Sequence, residues 1–161
     1  MEVGREVQYT ILSLLKTQIP VLGHLGLTPQ SVHAMGGFKV QGKDLEAARR
    51  ILDEALLLQD AGVFGVLLEG IPAELARIIT EKLEVPTIGI GAGPHCDGQV
   101  LVIQDLLGMF RKMRPKFVKT FAQGGDTIVA AVREYVQEVR SGVFPGPEHS
   151  FKMDENLLSS L

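Results

Sequence analysis

The chain of 161 residues has a single cysteine, no tryptophan, two tyrosines and no excess of positive charge. Each scarcity excludes something. One thiol, Cys96, rules out an internal disulfide and suits a reducing compartment. The apolar runs fall far short of the ~20 residues that span a bilayer, and no signal-peptide pattern opens the sequence. No membrane partner is therefore expected, and a cytoplasmic location is. Lysine and arginine total 16 against 19 acidic residues, a net charge of −3 that leaves no basic footprint for nucleic acid. No repeat, low-complexity tract or interdomain linker is present. The remainder is ordinary: 45% hydrophobic and 22% charged, with length enough for one domain and a sizeable core.

The 18 glycines are many for this length, and they cluster after apolar runs, where backbone turns tightly or approaches a ligand. The most informative run is Val63-Phe64-Gly65-Val66-Leu67-Leu68-Glu69-Gly70-Ile71-Pro72. It is apolar without interruption until one carboxylate, then meets Gly and Pro. A strand buried on both faces reads in this way, and such strands belong to helix-covered parallel sheets whose active groups sit at the carboxyl ends. Glu69 occupies that place. Desolvation at the edge of an apolar wall makes a carboxylate a stronger base, which suits general-base work. A strand-end Glu that reaches water or caps the next helix is the other reading.

Apolar residues Val7, Ile11, Leu14 and Leu15 give helical spacing over Arg5 to Lys16. Pro20 to His24 reads as a short buried strand, opening into a long loop from Leu25 to Gly42. The clearest helix runs from Lys43 to Ala61, with Asp44 as N-cap, an inner stripe of Leu45, Ala48, Ile51, Leu52, Ala55 and Leu56, and Gly62 as its stop. Strand Phe64–Leu68, helix Ala73–Leu83 after Pro72, and strand Thr87–Ile90 after Pro86 follow. A glycine-rich loop, Gly91 to Gly98, leads to a fourth strand-like run, Val100–Ile103. Asp126 to Arg140 reads as a last amphipathic helix, and the tail from Ser141 as extended. Alternating strands and helices with short connections predict a parallel α/β domain over 1–161. Four βα units make either a small open sheet or half of an eight-stranded barrel, which needs ~250 residues.

Parallel strands bring His24, Glu69 and the Gly89-Ile90-Gly91-Ala92-Gly93 loop to one rim. A base, an imidazole and exposed N–H groups there suit a small anionic substrate. His24 alone reads equally as a histidine that bonds a nearby carbonyl. The glycine loop lacks the following helix that a dinucleotide fingerprint requires. His95, Cys96 and Asp97 are metal-ligand types, but neighbours on one short loop rarely converge on an ion. They read as loop, with Asp97-Gly98 a turn. His33 and His149 have no distinctive setting, and Arg111, Lys112 and Arg114 read as a solvated face.

Several segments, in order, resemble the ketopantoate hydroxymethyltransferase family. They are Gly23-His24-Leu25-Gly26-Leu27-Thr28-Pro29-Gln30-Ser31, Gly37-Phe38-Lys39-Val40-Gln41-Gly42, Leu68-Glu69, Ile88 to Gly93, Asp97-Gly98-Gln99 and Pro145-Gly146-Pro147-Glu148-His149-Ser150-Phe151. The resemblance implies a (β/α)8 TIM-type barrel, of which this chain holds the C-terminal half with about four parallel strands. It implies transfer of a one-carbon unit from 5,10-methylenetetrahydrofolate to 3-methyl-2-oxobutanoate, giving 2-dehydropantoate for pantothenate and coenzyme A. It also implies Mg²⁺ and a homodecamer. By motif Glu69 matches the catalytic base, His24 the substrate-side histidine and Glu2 one acidic metal-site residue. The family's other two acidic metal-site positions and a substrate-binding lysine have no counterpart here. The expectation is thus a C-terminal part of the transferase, active as a complete barrel. The competing expectation is a non-catalytic half-barrel that self-associates or pairs with another chain to cover its sheet edges. An unrelated small α/β binding protein is a third.

Overall fold

The computed structural model describes residues 8–31, 37, 39–110 and 115–154. Four strands form one parallel sheet in chain order: β1 (Leu22–Gly26), β2 (Gly65–Glu69), β3 (Thr87–Ile90) and β4 (Gly98–Gln99). The helices are α1 (Gln8–Lys16), α2 (Leu45–Ala61), α3 (Ala73–Lys82), the short α4 (Ile103–Leu106) and α5 (Gly124–Ser141). This is the expected α/β arrangement, that of part of a (β/α)8 barrel. Two compact units are formed, one within Met1–Val102 and Pro115–Val118, the other within Ile103–Arg114 and Lys119–Leu161. Among the described residues no helix is long and apolar enough to cross a membrane.

The first unit contains the sheet. Helix α2 begins where Asp44 accepts a 2.8 Å hydrogen bond from the Ala47 amide, and it ends where Gly62 takes a left-handed φ of 95°. Its buried residues Ile51, Ala55 and Leu58 join Leu75, Ala76 and Ile79 of α3, and Ile11 of α1, in one core. Side chains alternate across a strand, so Leu25, Val66 and Leu68 point into that core. A Leu buried as completely as Leu58 or Leu68 contributes about 1.5–3 kcal/mol. The alternate residues His24, Leu67, Glu69 and Ile88 lie on the opposite face and are half-buried.

The fourth strand differs from expectation. Val100–Ile103 is not a strand: the ladder comprises Gly98 and Gln99, closed by the Val100 amide on the Gly89 carbonyl at 3.0 Å, and Ile103 opens α4. The apolar run indicated a strand but could not set its register. The Asp97 carboxylate does, accepting from the Thr87 amide at 2.8 Å and from the Thr87 hydroxyl at 3.0 Å. That latch places Gly98 opposite Ile88. Asp97-Gly98 is therefore the entry to β4, held across the sheet, rather than a simple turn. Gly91–Asp97 connects β3 to its parallel neighbour without a helix. Such crossovers ordinarily take a dozen residues or more; this one needs only to retreat from Ile90 to the level of Ile88, about 7 Å at strand rise.

In the second unit, α5 reaches Ser141 and ends on a left-handed Gly142. Beyond it the tail contains a 3-10 turn, Pro147–His149, with the Phe144 ring between those of Tyr135 and His149 at 5.6 and 5.0 Å.

Candidate active site

The carboxyl ends of β1, β2 and β3 lie side by side because Gly26 pairs with Glu69 and Glu69 with Ile90. His24 pairs with Leu67, two residues before Glu69. The His24 and Glu69 side chains therefore emerge on the same face, away from the helices, as diagonal neighbours. Their closest atoms, His24 Nε2 and Glu69 Oε2, are 3.2 Å apart, with side-chain exposures of 18% and 16%. The approach lacks the alignment of a hydrogen bond, and among the described residues the buried Nε2 has no hydrogen-bond partner. A buried imidazole nitrogen left in this state costs free energy until a third group satisfies it. Glu69 is also the one carboxylate within the four strands.

The Glu69 backbone is fixed from both sides. Its carbonyl accepts from the Leu27 amide at 2.7 Å, and the next amide, Gly70, donates to the Ile90 carbonyl at 2.9 Å. Gly70 turns left-handed at φ 57°, and its own carbonyl accepts from the Gln41 amide at 2.9 Å. Gly26, at φ 92°, has no room for a side chain: a Cβ there would lie 2.2 Å from the Glu69 carbonyl oxygen. On the far side, Gly91 packs against the Phe117 ring and Gly93 against Ala73, the first residue of α3.

This rim combines a sole strand-end carboxylate with an imidazole, and a glycine-rich loop follows the neighbouring strand. The model of the family described as ketopantoate hydroxymethyltransferase matches residues 1–147. The chain belongs to that family. It is 55% identical over 161 residues to a 3-methyl-2-oxobutanoate hydroxymethyltransferase of Syntrophomonas wolfei, covering 100% of this chain and 58% of the relative. It is 52% identical over 158 residues to the protein of that name from Clostridium kluyveri, covering 98% and 56%. With the one from Heliobacterium modesticaldum it shares 55% identity over 157 residues, covering 98% and 57%. The chain thus spans a little over half the length of these members of the ketopantoate hydroxymethyltransferase family.

Of the residues singled out in the sequence, His24 and Glu69 are brought together. One correction applies to His24. The strand read as ending at His24 runs on to Gly26, because Leu25 and Gly26 continue the ladder opposite Leu68 and Glu69. Glu2, His33, Arg111, Lys112 and Arg114 lie outside the described residues. His95 is exposed on the loop, and His149 is engaged by the tail, its Nδ1 accepting from the Gly146 amide at 3.2 Å.

Cys96 lies beneath Gly89, where burial pushes its thiol pKa up and the charge of Asp97 adds to the rise, against opposing hydrogen bonds with Thr87 and Thr80. The Asp97 carboxyl is held below its usual range, chiefly by the Thr87 amide and then by the Thr87 hydroxyl. The sequence reading missed Gln99, whose Nε2 donates to the Gly93 carbonyl at 3.0 Å. The Asp-Gly-Gln motif held that signal, but its partner lies across the glycine loop.

Among the described residues no three His, Cys, Asp or Glu side chains form a group that could hold a metal ion. Mg²⁺ requires an octahedral oxygen shell, of which Glu69 supplies at most one protein carboxylate here. The described residues do not build a Mg²⁺ site by themselves.

Proposed function

We propose that this chain supplies the proton acceptor for hydroxymethyl transfer from 5,10-methylenetetrahydrofolate to 3-methyl-2-oxobutanoate, giving 2-dehydropantoate, the reaction of pantothenate synthesis. The observation that carries the reading is the pairing of Glu69 Oε2 with an otherwise unsatisfied His24 Nε2 on the open face of the sheet. Membership of the family supports it. Because the relatives are nearly twice as long, the activity is proposed for the whole enzyme that contains this rim. Mg²⁺, with Glu2 among its ligands, and assembly with further copies belong to the same proposal on the strength of the resemblance alone.

Glu69 takes the proton from C3 of the 2-oxo acid. The C3–H bond breaks, the proton passes to a Glu69 oxygen, and the electron pair enters the enolate. The enolate carbon then bonds to the folate-borne methylene carbon. The methylene leaves its folate nitrogens, and overall one water is consumed to give the hydroxyl. His24 binds substrate: Nε2, when protonated, donates to a substrate oxygen placed beside Glu69. Deep placement at a strand end keeps bulk water from competing for the carboxylate and holds it at a fixed angle.

Glu69→Gln retains shape and removes basicity. In active enzyme, solvent deuterium should enter C3 of 3-methyl-2-oxobutanoate about 10²–10⁴ times more slowly, with substrate binding retained. Exchange at the parent rate would remove Glu69 from the role of base.

A further inference from the structure

The helix-free connection Gly91–Asp97 is fastened at both ends, and the two fastenings touch different things. At its far end Asp97 is latched to Thr87, at the amino end of β3. At its near end Gln99, which pairs with Gly89 in the sheet, reaches back along β3 and donates Nε2 to the Gly93 carbonyl. Gly93 stands at φ 77°, and a Cβ built on it would lie 2.3 Å from Ala73 Cβ and 3.0 Å from Ala73 Cα. The bend is thus in backbone contact with the first turn of α3. Only Gly70, Ile71 and Pro72 separate Ala73 from Glu69. The Gly70 amide is tied in turn to the Ile90 carbonyl, immediately before the bend.

We propose that Gln99 is a positioning residue for Glu69: it holds the Gly91–Gly93 bend against Ala73 and so fixes the turn that carries the carboxylate. This inference rests on Glu69 being the proton acceptor. The physical argument is one of leverage. Parallel β-strands of an α/β sheet are usually buttressed by the helix that connects them; here no helix stands between β3 and β4. The loop's own side-chain bonds must supply that rigidity. Ala73 cannot move toward the bend, because Gly93 fills the space for as long as Gln99 holds the bend in place. A base misplaced by 1 Å can cost about 10²-fold in rate, so one hydrogen bond on the bend has a catalytic consequence larger than its contribution to stability. The Asp97 latch lacks this effect, since it acts at Thr87, three strand positions below the level of Glu69, and not on the bend.

The test compares the two ends of one loop in active enzyme. Gln99→Glu keeps the side-chain shape but replaces the donor by a carboxylate that repels the Gly93 carbonyl; Gln99→Lys restores a donor. Gln99→Glu should slow C3 deuterium exchange about tenfold or more with the KM for the 2-oxo acid little changed. Gln99→Lys should recover part of that loss. Asp97→Asn keeps an acceptor for the Thr87 amide, and with it the register of β4, but weakens the latch; it should lower the Tm while leaving the exchange rate within about twofold of the parent. Exchange at the parent rate in Gln99→Glu, or an equal loss in Asp97→Asn, overturns the proposal.

A second readout needs no turnover. In the 161-residue chain the Gly70 amide should lose about 2–12-fold of its hydrogen-exchange protection in Gln99→Leu, the scale of one hydrogen bond, and unchanged protection overturns the proposal equally. The premise is checked separately: full exchange in Glu69→Gln would remove the base itself, whereas its collapse beside a normal Gln99→Glu would remove only the brace.

Discussion

Replacing Gly26 by alanine tests the architecture of the rim without requiring catalysis. Gly26 closes β1 at φ 92°, a left-handed conformation that costs an L-residue roughly 1–2 kcal/mol relative to glycine. The added methyl would stand 2.2 Å from the Glu69 carbonyl oxygen and 2.7 Å from Ile71 Cγ2. Neither obstacle is the mobile end of a long side chain. The carbonyl is bonded to the Leu27 amide, and Ile71 is 3% exposed within the core. Relief therefore requires a backbone shift, for which overpacking of about 1–3 kcal/mol is typical. Together the two terms give a loss of about 2–5 kcal/mol, or roughly 5–20 °C in Tm. Urea unfolding followed by circular dichroism measures it directly. The control is Gly37→Ala, where a Cβ meets none of the described residues within 4 Å and the φ of 108° is the strain at issue. If Gly26→Ala and Gly37→Ala lose the same amount, the packing of Gly26 on the Glu69 carbonyl contributes nothing, and the argument for a backbone held from both sides fails.

Other outcomes follow from individual contacts. Asp44→Ala removes the cap on the Ala47 amide and should destabilise the chain by about 1 kcal/mol, whereas Asp44→Asn should cost a few tenths; equal losses would show that the cap is not acting. Asp97 has a native pKa lowered by Thr87, so its contribution is complete above the ordinary aspartate value of about 4 and is lost as the pH falls through the lowered native value. The stability gap between the parent and Asp97→Asn, measured by urea titration, should accordingly shrink below about pH 4; a gap constant down to pH 2 would refute the latch. The Cys96 thiol, raised chiefly by burial, should react with iodoacetamide at pH 8 more slowly than the same thiol in the urea-unfolded chain, and equal rates would count against its packing under Gly89.

Local signals made α2 and β3 legible in the sequence. Asp44 and Gly62 bound a stripe of helical period, and Pro86 precedes a β-branched run that ends in glycine, so each element carries both its pattern and its limits. Glu69 was legible for a related reason: an unbroken apolar strand can place its first carboxylate only at its end. The fourth strand was not legible. Val100, Val102 and Ile103 are as apolar as a buried strand, yet they are exposed at 43%, 45% and 55%. Where the ladder begins depends on Asp97 meeting Thr87, ten residues earlier in sequence, a tertiary contact that no periodicity encodes. Gln99 was passed over on the same ground. The end of β1 was displaced by two residues because Pro20 was read as the strand's start, while pairing with β2 begins at Leu22.

That displacement bears on the site itself. Side chains alternate along a strand, so a slip of one residue between β1 and β2 would send His24 into the helix-facing core and leave Glu69 without its imidazole. Two glycines prevent the slip. At Gly23 a Cβ would stand 2.7 Å from Cδ1 of the buried Leu58, so Leu22 or His24 in its place opposite α2 would force that side chain to shift. At Gly26 the Glu69 carbonyl excludes any side chain, so Leu25 cannot move up and Leu27 cannot move down. Three positions apart, the two glycines lie on opposite faces of the strand, and the native register is the one that suits both. The motif Gly23-His24-Leu25-Gly26 thus carries more than an imidazole: the glycines choose the face on which His24 appears, and with it the partner it meets.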